Sequence, residues 1–269
     1  MSSLPVPSTQ DGRSALAAVL AEPAKALVAL DFDGTLSPIV ERPEQAYAQP
    51  GAAAALAALA RILGRVAIVT GRPAADVVRR SGLGDVDGLV VLGHYGLERW
   101  MAGALTTPDP HPGVAAARRA AASLVADAPP GVILEDKGHS VAIHSRRAAD
   151  PAAALDAVRP AVEQIARDAG LEVAPGRYVL ELRPPGTDKG AALRALVAEA
   201  GARSVVFLGD DLGDLPAVAA LRELDVAGLV VCSDSDETPD ALRLEADLVV
   251  DGPPGVIAFL DALAAALSA

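Results

Sequence analysis

Six stretches of this chain are apolar almost throughout yet only strand-long: ALVAL (26–30), RVAIVT (65–70), GLVVLG (88–93), SVVFLG (204–209), VAGLVVC (226–232) and ADLVV (246–250). A strand without polar alternation has to be covered on both faces. Ala-rich helical patterns near 51–63, 73–81, 188–200 and 254–266 lie between these runs. Strands of this kind alternating with helices predict an α/β fold built on a parallel sheet.

The middle of the chain reads differently. A helix near 114–126 is followed by VILEDK and HSVAIHSR, and a helix near 152–169 by LEVA and RYVLELR. VAIHS and YVLEL alternate as half-exposed antiparallel strands do. Lys137-Gly138-His139 and Pro175-Gly176 are the expected turns within the two strand pairs. The segment is therefore expected to be an α+β domain inserted into the α/β core. This gives a core at 1–108, in which 1–22 hold a loose tail and a first helix, an insertion at 109–185, and the rest of the core at 186–269. The Pro-rich stretches TTPDPHPG and RPPG flank it as candidate hinges.

The net charge of −12 argues against a nucleic-acid partner, which needs a basic footprint. It leaves room for a small anionic substrate, because screening over about 8 Å lets local cations outweigh distant carboxylates. No apolar run reaches the ~18 residues of a membrane span. Residues 1–14 lack the basic start and apolar stretch of a secretory signal. The lone Cys232 can form no internal disulfide and fits a reducing compartment, so a cytoplasmic location is expected. Only three residues are lysine, Lys25, Lys137 and Lys189, which draws attention to each.

The run LVAL (27–30) ends in Asp31 and Asp33, followed by Gly34 and Thr35. Buried carboxylates are costly unless compensated. Residues i and i+2 of an extended chain point the same way, so both acids can face one atom. One carboxylate can attack phosphorus, and the other can carry a proton to the leaving oxygen and then take one from water. Gly34 permits a close turn, and the Thr35 hydroxyl, the Thr70 hydroxyl and the Gly71 amide can bind phosphoryl oxygens that Lys189 neutralises. Asp31 with Asp210, joined by Asp211 or Asp214, makes an oxygen-rich set suited to Mg²⁺. Asp211 and Asp214 equally suit the start of a helix without any metal. Two further Asp-x-Asp pairs, 85/87 and 234/236, read as solvated turns; Pro239 breaks the calcium-loop pattern at the second.

DFDGTL, VTGR, DKG and GDDLGD, in this order, resemble the four motifs of the haloacid-dehalogenase-like (HAD) phosphotransferases. The resemblance implies a Rossmann-like core with a type C2 cap between the second and third motifs. It implies Asp31 as nucleophile and Asp33 as general acid and base. The metal would be held by Asp31, the backbone carbonyl of Asp33, and Asp210.

GHYGLER (93–99), LEDKGHSVAIHSRR (134–147) and YVLELRPPGTDKG (178–190) further resemble the trehalose-6-phosphate phosphatases. That implies a sugar phosphate as substrate, with Glu135 and Lys137 reaching it, and His144, Arg146, Glu181 and Arg183 on matching cap strands. It also suggests functional coupling to a trehalose-6-phosphate synthase. Arg72, His94 and Glu98 join the substrate-binding candidates, although a loop His and a surface Glu are ordinary. The chain departs from the family at Tyr95, where His is common, at Ser145 for Tyr, and at Leu215-Pro216 for a more acidic tail. A phosphatase or phosphomutase for another sugar phosphate, or a non-catalytic sensor of one, are the competing readings.

Overall fold

A computed structural model describes residues 4–40, 42 and 45–268. By its internal contacts the chain divides into two compact units, residues 1–107 with 188–269, and residues 108–187. The first holds an eight-stranded sheet whose strands are β1 (Ala26–Leu30), β2 (Arg65–Val69), β3 (Leu89–Gly93), β4 (Glu98–Met101), β5 (Ala104–Thr106), β10 (Ser204–Gly209), β11 (Ala227–Asp234) and β12 (Leu248–Asp251). Their spatial order is β12-β11-β10-β1-β2-β3-β4-β5. From β12 to β3 every pairing is parallel; β4 and β5 add an antiparallel margin.

The continuous apolar character of β1 has the expected cause. Val28 and Leu30 pack into one core with helices α1 (Gln10–Ala21), α2 (Ala52–Ala60), α3 (Ala74–Ser81) and α9 (Gly252–Leu267). Leu27 and Ala29 pack into the opposite core with α6 (Lys189–Ala200), α7 (Leu215–Glu223) and α8 (Asp240–Glu245). Cys232 lies buried in that second core, and burial pushes its thiol up to about 12.

The second unit stacks helices α4 (Pro112–Ala126) and α5 (Pro151–Ala169) on one face of an antiparallel sheet. Its strands, β6 (Ile133–Asp136), β7 (Val141–His144), β8 (Glu172–Gly176) and β9 (Val179–Arg183), take the order β6-β7-β9-β8. Val141, Ile143, Leu180 and Leu182 face the helices. Their neighbours along the strands, Ala142, His144, Glu181 and Arg183, therefore face the other way.

Three expectations change. Residues 8–14 are not a loose tail: Thr9 caps α1, and the Ser8 amide donates to the Asp247 carbonyl at 2.7 Å. Pro175 and Gly176 are strand residues paired with Leu180 and Val179, so the turn falls on Arg177 and Tyr178, with Tyr178 at φ 59°. The stretch after Gly96 is β4 rather than surface loop, and Glu98 at its start is buried.

Candidate active site

The chain leaves β1 in one direction through β2 and β3, then returns to the other side of β1 as β10. The sheet thus reverses its winding between β1 and β10, where the crevice of an open α/β sheet opens at the C-terminal strand ends. Asp31 follows β1 and Asp210 follows β10 at that edge. Leu30 pairs with Leu208, and the Asp31 amide donates to the Leu208 carbonyl at 2.9 Å. Strand register therefore carries two residues 179 positions apart (210 − 31) to one place.

Asp31, Asp210 and Asp214 each offer a carboxylate oxygen within 4.8 Å of the others, and all three are buried. Lys189, the first residue of α6, sits among them. Its Nζ lies 2.8 Å from Asp31 Oδ1 and 2.7 Å from Asp214 Oδ1, at 4% exposure. The other oxygen of Asp214 accepts from the amides of Asp210 and Asp211 at 2.8 and 3.0 Å. Asp214 thus braces the turn that presents Asp210 while holding the lysine. Asp211 stands apart from the three converging oxygens: its Oδ1 caps the turn by accepting from the Gly213 amide at 2.8 Å.

Electrostatics at this edge are dominated by crowding. Burial, then Asp214, Asp211 and Asp33, outweigh Lys189 and push the Asp31 carboxyl up to about 8. Burial and neighbouring acids likewise raise Asp210, and raise Asp211 to about 6. Burial alone would pull the Lys189 ammonium down, but Asp214 and Asp31 hold it well above its ordinary value. The donor set is all oxygen, buried and under-neutralised by one ammonium, which fits a hard divalent cation.

Asp33 has a different setting. Its oxygens accept from Arg72 Nε at 2.5 Å and Nη2 at 2.7 Å, a two-point grip, and the guanidinium lies 5.8 Å from the Phe32 ring centroid. Arg72 follows Thr70 and Gly71 at the end of β2, and its amide donates to Thr70 Oγ1 at 3.1 Å. Thr35 is fully buried with its hydroxyl 3.3 Å from Asp210 Oδ1.

Gly34 has φ 77°, and a Cβ there would fall 1.9 Å from Asp210 Oδ2. The Gly34 carbonyl accepts from Ser233 Oγ at 2.7 Å, and the Ser233 carbonyl accepts from Thr238 Oγ1 at 3.1 Å. Ser233 was not singled out from the sequence, since a serine after an apolar run carries no signal of where its hydroxyl goes.

Glu98, a substrate-binding candidate, is buried rather than at the surface. One carboxylate oxygen accepts from the Ala74 amide at 2.7 Å, capping α3, and the other lies 3.8 Å from Nε2 of buried His94. His94 and Glu98 therefore brace α3 and the segment after β3.

In the second unit, the sheet face opposite the helices gathers its polar candidates. Glu135 meets His144 Nε2 at 2.8 Å, and Lys137 donates to Glu181 at 3.2 Å, with the Ser140 hydroxyl also on Glu181. Glu135 thus pairs with a residue of β7 and Lys137 with a residue of β9. Arg183 donates to Glu172 at 3.1 Å, and the Arg146 guanidinium lies 5.7 Å from the Tyr178 ring centroid. The expected turn pairs 85/87 and 234/236 belong to no converging metal-ligand set among the described residues; Arg243 holds Asp234 at 2.6 Å.

A sequence profile described as trehalose-phosphatase matches residues 29–246. The trehalose-phosphate phosphatase of Mycobacterium avium (strain 104) is 35% identical over 257 residues, which are 88% of this chain and 61% of that protein. An uncharacterized glycosyl hydrolase of Mycobacterium tuberculosis is 44% identical over 222 residues, 76% of this chain but 16% of that protein. The chain therefore spans less than two thirds of these relatives. Among solved structures, a trehalose-6-phosphate phosphatase related protein superposes with a TM-score of 0.70 at 27% identity, covering 89% of this chain and 97% of its own. The C-terminal domain of the Candida albicans trehalose-6-phosphate phosphatase gives a TM-score of 0.77 at 20% identity over 98% of this chain and 99% of its own, a likeness of fold.

Proposed function

This chain belongs to the trehalose-phosphatase family, and from that premise we propose that it hydrolyses trehalose 6-phosphate to trehalose and phosphate through an aspartyl phosphate on Asp31. The observation that carries the reading is the buried meeting of Asp31, Asp210, Asp214 and Lys189 at the β1/β10 switch point.

A carboxylate of Asp31 attacks phosphorus as the bond to the sugar oxygen breaks, and Asp33 gives that oxygen its proton. Asp33 then takes a proton from water, whose oxygen attacks the phosphorus and returns Asp31 as a carboxylate. Lys189 neutralises charge beside Asp31, and the Thr70 hydroxyl and Gly71 amide serve as phosphoryl donors, with Thr35 closing the turn between Asp31 and Asp210. The planar fork with which Arg72 grips Asp33 suits a phosphoryl group equally well, so the substrate can compete with Asp33 for it.

We assign the metal as Mg²⁺, with Asp31, Asp210 and Asp214 supplying carboxylate oxygens and Asp33 its carbonyl. Bound there it would supply positive charge opposite the phosphoryl oxygens and orient them. Sugar recognition is assigned to Glu135, Lys137, His144, Arg146, Glu181 and Arg183. We place the enzyme in the cytoplasm, downstream of a trehalose-6-phosphate synthase.

Two measurements test this. Asp31→Asn should abolish phosphate release while leaving the Tm within a few degrees or higher; turnover above a few per cent of wild type removes Asp31 as nucleophile. A substrate panel at matched Mg²⁺ should give trehalose 6-phosphate the highest kcat/KM. Comparable values for glucose 6-phosphate and sucrose 6-phosphate would move the assignment to another sugar-phosphate phosphatase.

A further inference from the structure

After β3 the chain does something bulky side chains rarely do. His94 and Tyr95 both have positive φ, 47° and 58°, ahead of Gly96 at 102°. Two consecutive non-glycine residues in the left-handed region carry strain that persists only where the surroundings fix it. Two of the fixing contacts run to one loop. The His94 amide donates to the Arg72 carbonyl at 3.0 Å, and the Tyr95 amide donates to the Thr70 carbonyl at 2.9 Å. The strained pair is thus bound on both sides to Thr70-Gly71-Arg72.

The side chain of Tyr95 completes the arrangement. A Cβ built on Gly71 would lie 2.6 Å from the Tyr95 hydroxyl oxygen and 2.8 Å from the ring carbon bearing it. The phenol end therefore lies directly against the α-carbon of Gly71, and that contact requires glycine. What the geometry adds is an O–H group against Gly71, whose amide is already read as a phosphoryl donor.

We propose that Tyr95 is a further phosphoryl-binding residue, its hydroxyl donating to an oxygen of the transferring phosphate alongside Thr70 and Gly71. The inference rests on the phosphatase reading above but not on the identity of the sugar. The strained backbone is the means by which a residue outside the loop brings its ring end over Gly71.

The test is Tyr95→Phe, which removes one oxygen. Loss of a hydrogen bond to a charged group predicts a fall of roughly 10- to 100-fold in kcat/KM. The fall should be equal for p-nitrophenyl phosphate and trehalose 6-phosphate. Inhibition by inorganic phosphate should weaken in parallel, with the Tm unchanged. Wild-type kinetics on both substrates, a loss confined to the disaccharide, or a loss accompanied by a matching fall in Tm would each overturn the proposal. Wild-type turnover of p-nitrophenyl phosphate without trehalose 6-phosphate would retire the substrate assignment and leave the Tyr95 comparison intact.

Discussion

One of only three lysines in the chain stands between two buried carboxylates, where a long flexible ammonium can meet both at once. Removing that ammonium would leave both carboxylates buried without their counter-charge, at a cost of several kcal/mol. Gly34 is the complementary case, a residue needed for what it lacks. Its φ of 77° and the Asp210 oxygen 1.9 Å from a would-be Cβ leave no room for a side chain. Gly34→Ala should cost about 1–3 kcal/mol for the backbone alone, and should displace Asp210. Chemical denaturation and Mg²⁺-dependent turnover measured on the same variant should therefore fall together. The acids, Lys189, Thr70 and Gly34 were legible in the sequence because their chemistry is local to short motifs. The grip of Arg72 on Asp33 and the capping of α3 by Glu98 were not. Those pairings join residues 39 and 24 positions apart, and only the packed sheet decides them.

Among the elements, the continuous apolar strands gave their own positions because burial on both faces removes any polar alternation. β4 and β5 escaped notice because GLERWMAGALT mixes charges with apolar residues, as marginal strands do. The second unit shows the opposite regime, with alternation marking one helix-covered face and one polar face. A less visible dependence links β11 to the loop after β1. Ser233, fully buried, donates to the Gly34 carbonyl, and Thr238 holds Ser233 from behind. Ser233→Ala leaves that carbonyl without its donor, at a cost of about 1–3 kcal/mol. We expect kcat to drop with KM little changed and Ser233→Thr to recover much of the loss. An alanine variant with normal kcat would show that the loop after β1 holds its shape without β11.

At the scale of the whole molecule, the net charge of −12 coexists with a site that we propose takes an anion, which requires local cations to dominate there. The carboxyls at the switch point make stability depend on pH in a definite direction. Asp31 is raised to about 8 and Asp211 to about 6, chiefly by burial, whereas an unfolded aspartate titrates near 3.9. Between those values the native state binds more protons than the unfolded chain, so stability falls as pH rises. In EDTA the Tm should be lower at pH 8 than at pH 5.5. Millimolar Mg²⁺ should raise it more at pH 8, where the carboxylates it needs are ionised. Scanning fluorimetry checks both signs, and a Mg²⁺ response equal at the two pH values would count against binding at these acids.

The same sheet that gathers the site stops at both margins in very short strands, β12 of four residues and the exposed β5 of three. An unpaired strand edge is a template for another chain's backbone, and its hold grows with the number of hydrogen bonds it offers in register. Edges this short offer only a few. A wide, largely parallel sheet of low polarity thus leaves little surface at its margins onto which a neighbouring copy can add a strand.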